Sequence, residues 1–127
     1  MTTETRLEAD SIGTMEVPAE AYYGVQALRA KQNFPITGTK LHPVFIRNLA
    51  QIKKAAAITN NNAGLLPEDK ADAIVRACDE VIAGKLAEEF IVDAIQGGAG
   101  TSANMTEPVR SSDVRRVAIK WSIQMIT

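Results

Sequence analysis

Hydrophobic and polar positions divide the chain into short extended pieces, two strongly periodic helices and a glycine-rich stretch. Residues 5–17 read as two extended pieces about the turn Asp10-Ser11-Ile12-Gly13, and Pro18 closes the second. A small β-hairpin is expected there. Residues 24–34 fit a weakly amphipathic helix with Val25, Leu28 and alanines on its apolar side, ended by Pro35, and residues 35–39 read as a loop. The strongest helical pattern covers residues 43–60, where Phe45, Ile46, Leu49, Ile52, Lys53, Ala56 and Ala57 recur at the spacing of one helix face. Lys53 can lie across that face with its ammonium in water. Pro43 suits a first helical turn, and Asn60-Asn61-Asn62-Ala63-Gly64 favours local side-chain bonding and a left-handed stop.

A second helix fits residues 67–83, with Pro67 in its first turn, Glu68 and Asp69 complementing the macrodipole, and Gly84 just past its end. Ala71, Ile74, Val75, Cys78, Val81 and Ile82 form its buried stripe. Two such helices on a short loop predict an antiparallel hairpin in which each covers the other's apolar stripe. Residues 86–90 can add a helical turn. Ile91-Val92-Asp93-Ala94-Ile95 is a short apolar link into Gln96-Gly97-Gly98-Ala99-Gly100-Thr101-Ser102-Ala103-Asn104-Met105.

Length and composition narrow the function classes. With 127 residues, 46% of them hydrophobic, the chain has room for one modest core. A net charge of -1 and 5% aromatics give neither a phosphate-tracking surface nor a base-stacking platform, so nucleic acid is not an expected partner. The opening residues lack the basic and apolar regions of a secretory signal, and no apolar run approaches the roughly 20 residues of a membrane span. A cytoplasmic protein without membrane contact is expected. Cys78 is the single cysteine, which excludes an intrachain disulfide and a cysteine-rich metal site and suits a buried structural thiol. His42, the single histidine, stands beside Pro43 at a helix start, where a surface or capping role is expected rather than proton transfer.

The glycine-rich stretch carries the candidate chemistry. Gly97, Gly98 and Gly100, followed by Thr101, Ser102 and Asn104, let backbone N–H groups and short polar side chains converge on one point, which is what a carboxylate requires. A helix opening at Ser102 or Asn104 would add further donors. The same residues also make an ordinary glycine-rich turn with a Ser/Thr cap, and spacing leaves both readings open. The Gly-Lys-Ser/Thr of a nucleoside-triphosphate loop and the strand-helix frame of a dinucleotide fingerprint are both missing.

Taken together, Asp10-Ser11-Ile12-Gly13, Glu16-Val17-Pro18-Ala19, Ala21-Tyr22-Tyr23-Gly24-Val25-Gln26, Asn33-Phe34-Pro35-Ile36-Thr37-Gly38, Phe90-Ile91-Val92-Asp93 and the glycine-rich block stand in the order found in the aspartase/fumarase superfamily. The chain resembles the N-terminal portion of that family over about residues 5–105. Tyr22-Tyr23-Gly24 and residues 33–38 are similar to the aspartase branch more than to the fumarase one. The resemblance implies a mainly α fold, the N-terminal domain of the aspartase/fumarase fold with a small β-hairpin and a helical hairpin. It implies reversible deamination of L-aspartate to fumarate and ammonia, through an intermediate whose side-chain carboxylate gathers negative charge and is met by fixed donors. Thr101 matches the position whose hydroxyl meets a substrate carboxylate, with Ala99, Gly100 and Ser102 in the adjoining backbone and Asn104 close behind. The family uses no metal and no organic cofactor, and it works as a homotetramer.

The resemblance also implies residues that this sequence does not contain. The family's base serine, in a later glycine-serine-serine loop, and its middle-segment His, Thr and Asn are absent, so no residue here is assigned a catalytic role. Ser111-Ser112-Asp113 lacks the surrounding residues of that loop. The expected division is a lyase domain over residues 1–105 and an atypical tail over 106–127, with the central bundle and C-terminal domain absent. Over residues 110–127, Arg110, Arg115, Arg116 and Lys120 against Asp113 leave a charge of +3, and Val117, Ile119, Trp121, Ile123 and Met125 alternate at a strand period where the family has helix, so a tail translated out of frame from about residue 106 is expected. Three readings follow for the isolated chain: an inactive fragment of an aspartate-deaminating lyase or of a class II fumarate hydratase, a non-catalytic assembly module, or the product of a damaged gene.

Overall fold

The structure, a computed structural model, describes residues 4–97 and 100–105. These fall into two compact units, one made of residues 4–41 with 88–97 and 100–105, the other of residues 42–87. No helix among the described residues is long and apolar enough to cross a membrane.

The first unit opens with strands β1 (Thr5–Ala9) and β2 (Thr14–Pro18), paired antiparallel with Arg6 opposite Val17 and Glu8 opposite Met15. Asp10 makes the turn: its Oδ1 accepts from the N–H groups of Ile12 and Gly13, at 2.9 and 3.0 Å. Arg29 donates to both carboxylate oxygens of Asp10, and this guanidinium, before all else, holds the Asp10 carboxyl below its usual range. The inner face of β1 carries Arg6 and Glu8, while Leu7 is exposed. The Arg6 guanidinium donates to Glu8 and to the carbonyls of Pro18, Ala19, Ala21 and Tyr23, at 2.6–2.9 Å, so one side chain satisfies a turn that has no strand ladder. Helix α1 (Val25–Asn33) follows, and Glu8 accepts from the Val25 N–H at its start, 3.0 Å away. Val17, Ala21 and Val25 form the buried cluster of this unit, with Met15, Tyr23 and Leu28 packed against it.

The second unit is the expected helical hairpin of α2 (Pro43–Asn62) and α3 (Glu68–Ile82). His42 caps α2, its Nδ1 accepting from the Val44 N–H at 3.2 Å, which agrees with the capping role read from the sequence. Helix α2 runs two residues beyond the expected end at residue 60, because the asparagines remain helical and the stop is made later. Leu65 N–H donates to Asn60 O and Gly64 N–H to Asn61 O, a Schellman closure. Asn61 also donates to Leu66 O, tying the loop to the helix. Helix α3 closes the same way, with Lys85 N–H on Glu80 O and Gly84 N–H on Val81 O. It is one residue shorter at each end than expected, and Pro67 precedes it as the cap.

The stripe of α3 faces inward as expected: Ala71, Cys78 and Val81 are buried, and Ile74, Val75 and Ile82 are half-buried. The stripe of α2 is a correction. Ile46, Ala50 and Ala57 are its buried positions, whereas Phe45 and Ile52, both expected inside, are 47% and 61% exposed. The buried stripe therefore runs through Ile46, Ala50 and Ala57 and leaves the two larger side chains outside it. A buried cluster of Ala57, Leu66 and Ala71 joins the helices, and Lys54 pairs with Asp79 at 2.6 Å.

A 3₁₀ turn at Ala87–Glu89 replaces the helical turn expected over residues 86–90, and a five-residue helix, α4 (Thr101–Met105), ends the described chain. Ala99 and the strand period expected in residues 106–127 lie outside the described residues.

Candidate functional site

The glycine-rich stretch is held from its N-terminal side by a carboxylate that the sequence reading did not single out. Asp93 interrupts an apolar run and is only 7% exposed. Burying a charge without partners is costly, so such a residue must be paired or hydrogen-bonded. Asp93 meets this requirement with four donors. Its Oδ2 accepts from the N–H groups of Thr37 and Gly38, at 2.9 and 2.8 Å, and its Oδ1 from the Thr37 hydroxyl and the Ile95 N–H, at 2.7 and 2.8 Å. The bond from Ile95, followed by those from Thr37 and Gly38, pulls the Asp93 carboxyl down to about 2 against the opposing effect of burial.

The loop that Asp93 grips is the Pro35-Ile36-Thr37-Gly38-Thr39 segment. Lys40 and Asp93 form an antiparallel backbone bridge, and Ala94 N–H donates to Thr39 O at 3.0 Å. With its proton committed to Asp93, the Thr37 hydroxyl accepts from the Thr39 hydroxyl, 2.7 Å away, and from the Thr39 N–H at 3.1 Å. Gln96 folds back to donate to Asp93 O at 2.7 Å. One residue later Gly97 lies against the Phe34 ring. A Cβ there would come within 2.9 Å of Phe34 Cε1, so a side chain at this position requires the Phe34 ring to shift.

Beyond these anchors stand the residues expected to form the site. Gly100 has φ +86°, a backbone conformation that side chains disfavour, and its carbonyl accepts from the Asn104 N–H at 3.1 Å to close the one turn of α4. The helix therefore opens at Thr101, one residue before the earlier of the two expected starts. Thr101 is exposed, Ser102 and Asn104 are half-buried, and Ala103 is buried. Helix α4 packs on α1, whose chain leads through Phe34 into the Thr37 loop. On the same unit, Glu89 accepts from the Tyr22 N–H at 2.8 Å, and burial, with the nearby Glu89 charge, pushes the Tyr23 hydroxyl up.

Asp93, Thr37 and Phe34 were legible only as motif letters. The available signal was a lone acid in an apolar run, which points to a hydrogen-bonded anchor.

Comparisons with known proteins agree with the motif order. The family described as lyase matches residues 13–119. An aspartate ammonia-lyase of Bacillus sp is 54% identical over 105 residues, covering 83% of this chain and 22% of that protein. A class II fumarate hydratase of Halobacterium salinarum is 51% identical over 105 residues, covering 83% and 22%. The crystal structure of a fumarate lyase:delta crystallin from Brucella melitensis in native form superposes with a TM-score of 0.80 at 43% identity, over 97% of this chain and 27% of that one. The chain thus spans 22% of the length of the curated relatives it matches here. With its hairpin, its paired helices and its glycine-rich block in place, the chain belongs to the lyase family that holds the aspartate ammonia-lyases and class II fumarate hydratases.

Proposed function

We propose that this chain is the part of an aspartate ammonia-lyase that presents hydrogen-bond donors to a substrate carboxylate, in an enzyme that converts L-aspartate reversibly to fumarate and ammonia. The observation that carries the reading is the glycine-rich segment ending in Thr101. Gly97 is pressed on Phe34, Gly100 is in a left-handed conformation, and the exposed Thr101 opens a helical turn. Removal of a proton beside the side-chain carboxylate loads that group with negative charge, and donors already fixed in place stabilise it without reorganisation. Thr101 contributes the hydroxyl, and Gly100, Ser102, Asn104 and Ala99 are the other residues proposed to bind the substrate. The base comes from residues outside these 127, and the working assembly is a cytoplasmic homotetramer that uses no metal or organic cofactor.

The likeness to a class II fumarate hydratase at 51% identity keeps malate as the competing substrate. Residues 5–105 placed in the full-length Bacillus aspartate ammonia-lyase, in exchange for the matching segment, test the choice. Fumarate formed from aspartate and not from malate is the expected result. Activity on malate alone would assign the segment to the hydratase branch.

A further inference from the structure

The strongest unexplained arrangement in the molecule is the buried Asp93 carboxylate and the loop folded onto it. Each of its four bonds goes to a donor on one of two segments: Thr37 and Gly38 on the loop after α1, and Ile95 on the way to the glycines. Two further observations close a ring around it. Gly97 is pinned by Phe34, which caps the C-terminus of α1, and α4, carrying Thr101, packs back on α1. The ring thus leaves α1, turns through the Thr37 loop, crosses by hydrogen bonds to Asp93, follows the chain to Gly97 against Phe34, and is closed by α4 on α1.

We infer that Asp93 is a positioning residue for Thr101: its carboxylate clasps the Thr37–Gly38 loop to the Ile95 backbone and so fixes where the glycine-rich segment delivers the Thr101 hydroxyl. This rests on the proposed role of Thr101 and adds what holds that residue in place. A carboxylate suits the task because it accepts from several N–H groups at once, and bonds to a charged acceptor are about twice as strong as neutral ones. An amide at the same position keeps one oxygen and turns a donor toward donors. The Thr101 side chain is exposed, so its location depends on the backbone that carries it.

The test uses the full 127-residue chain in solution and compares Asp93→Asn with Asp10→Asn. Both remove a carboxylate that accepts from backbone N–H groups, three at Asp93 and two at Asp10, and from a side chain of the same unit, but only Asp93 joins the Thr37 loop to the segment that leads to Thr101. In Asp93→Asn, amide hydrogen exchange at Thr37, Gly38 and Ile95 should quicken at least about tenfold, and the amide resonances of residues 100–104 should move. In Asp10→Asn the resonances of residues 100–104 should stay. The inference is overturned if Asp93→Asn frees the loop while residues 100–104 keep their resonances, or if both variants move them equally. Should Asp93→Asn fail to fold, Thr37→Val removes only the hydroxyl arm of the clasp, and the same resonances decide. The readout is positional, so it stands apart from the substrate reading, which Thr101→Val in an active enzyme decides.

Discussion

Charged side chains turned toward backbone do much of the organising in the first unit. Arg6 gathers the carbonyls of Pro18, Ala19, Ala21 and Tyr23, Glu8 meets the start of α1, and Asp93 gathers the amides of Thr37, Gly38 and Ile95. For Asp93 the consequence is a defined pH response. Its folded value of about 2 lies below its ordinary 3.8, so its contribution to stability is present above about 3.8 and is lost as pH falls through about 2. Asp10 is lowered as well, so the effect is isolated by comparing the chain with Asp93→Asn. The stability difference between the two, from urea denaturation, should be constant above about pH 4 and shrink toward pH 2. A difference that persists unchanged at pH 2 would show that Asp93 is not held as a carboxylate. None of these anchors was legible as such. Arg6 and Asp93 are ordinary charged letters until the fold brings main-chain groups from residues 12–17 and 55–56 positions away to them.

The helical hairpin was more legible because its signals are local. Pro43, His42, the two acidic residues of the first turn of α3, and Gly64 and Gly84 set the ends, and the periodicity of α3 set its buried face. The face of α2 was misread because apolar residues span more of that helix than one neighbour covers. Phe45 and Ile52 sit on the uncovered edge, and the alanines Ala50 and Ala57 occupy the centre. Two substitutions separate these roles. Ile52→Gln should leave stability within about 0.5 kcal/mol, as for an exposed site, whereas Ala50→Leu, at a fully buried position, should cost about 1–3 kcal/mol through overpacking. Thermal or urea denaturation checks both, and a large loss at Ile52 would mean that its edge is covered in solution. The glycine-rich segment stood between these extremes. Its composition announced tight backbone, and Phe34 against Gly97 supplies one physical reason, but a turn and a carboxylate cradle share that composition.

At the scale of the molecule, the family was readable from six separated motifs in order, far more specific together than the glycines alone. Under the proposed function these residues supply donors for a carboxylate and the base comes from elsewhere in the enzyme, so a polypeptide of these 127 residues should show no turnover of aspartate or fumarate. One missing donor or base in such a site costs on the order of 10²-fold or more. Fumarate absorbance rising in proportion to the pure chain would contradict this. The most direct measurement of the account is Thr101→Val within the active chimera that carries residues 5–105 in the Bacillus enzyme. The substitution keeps the shape and removes the hydroxyl, and losing one donor to a charged group, about 1.5–3 kcal/mol, should lower kcat/KM for aspartate by at least roughly tenfold. Kinetics unchanged from the parent chimera would contradict the account and leave the glycine-rich segment as an ordinary turn.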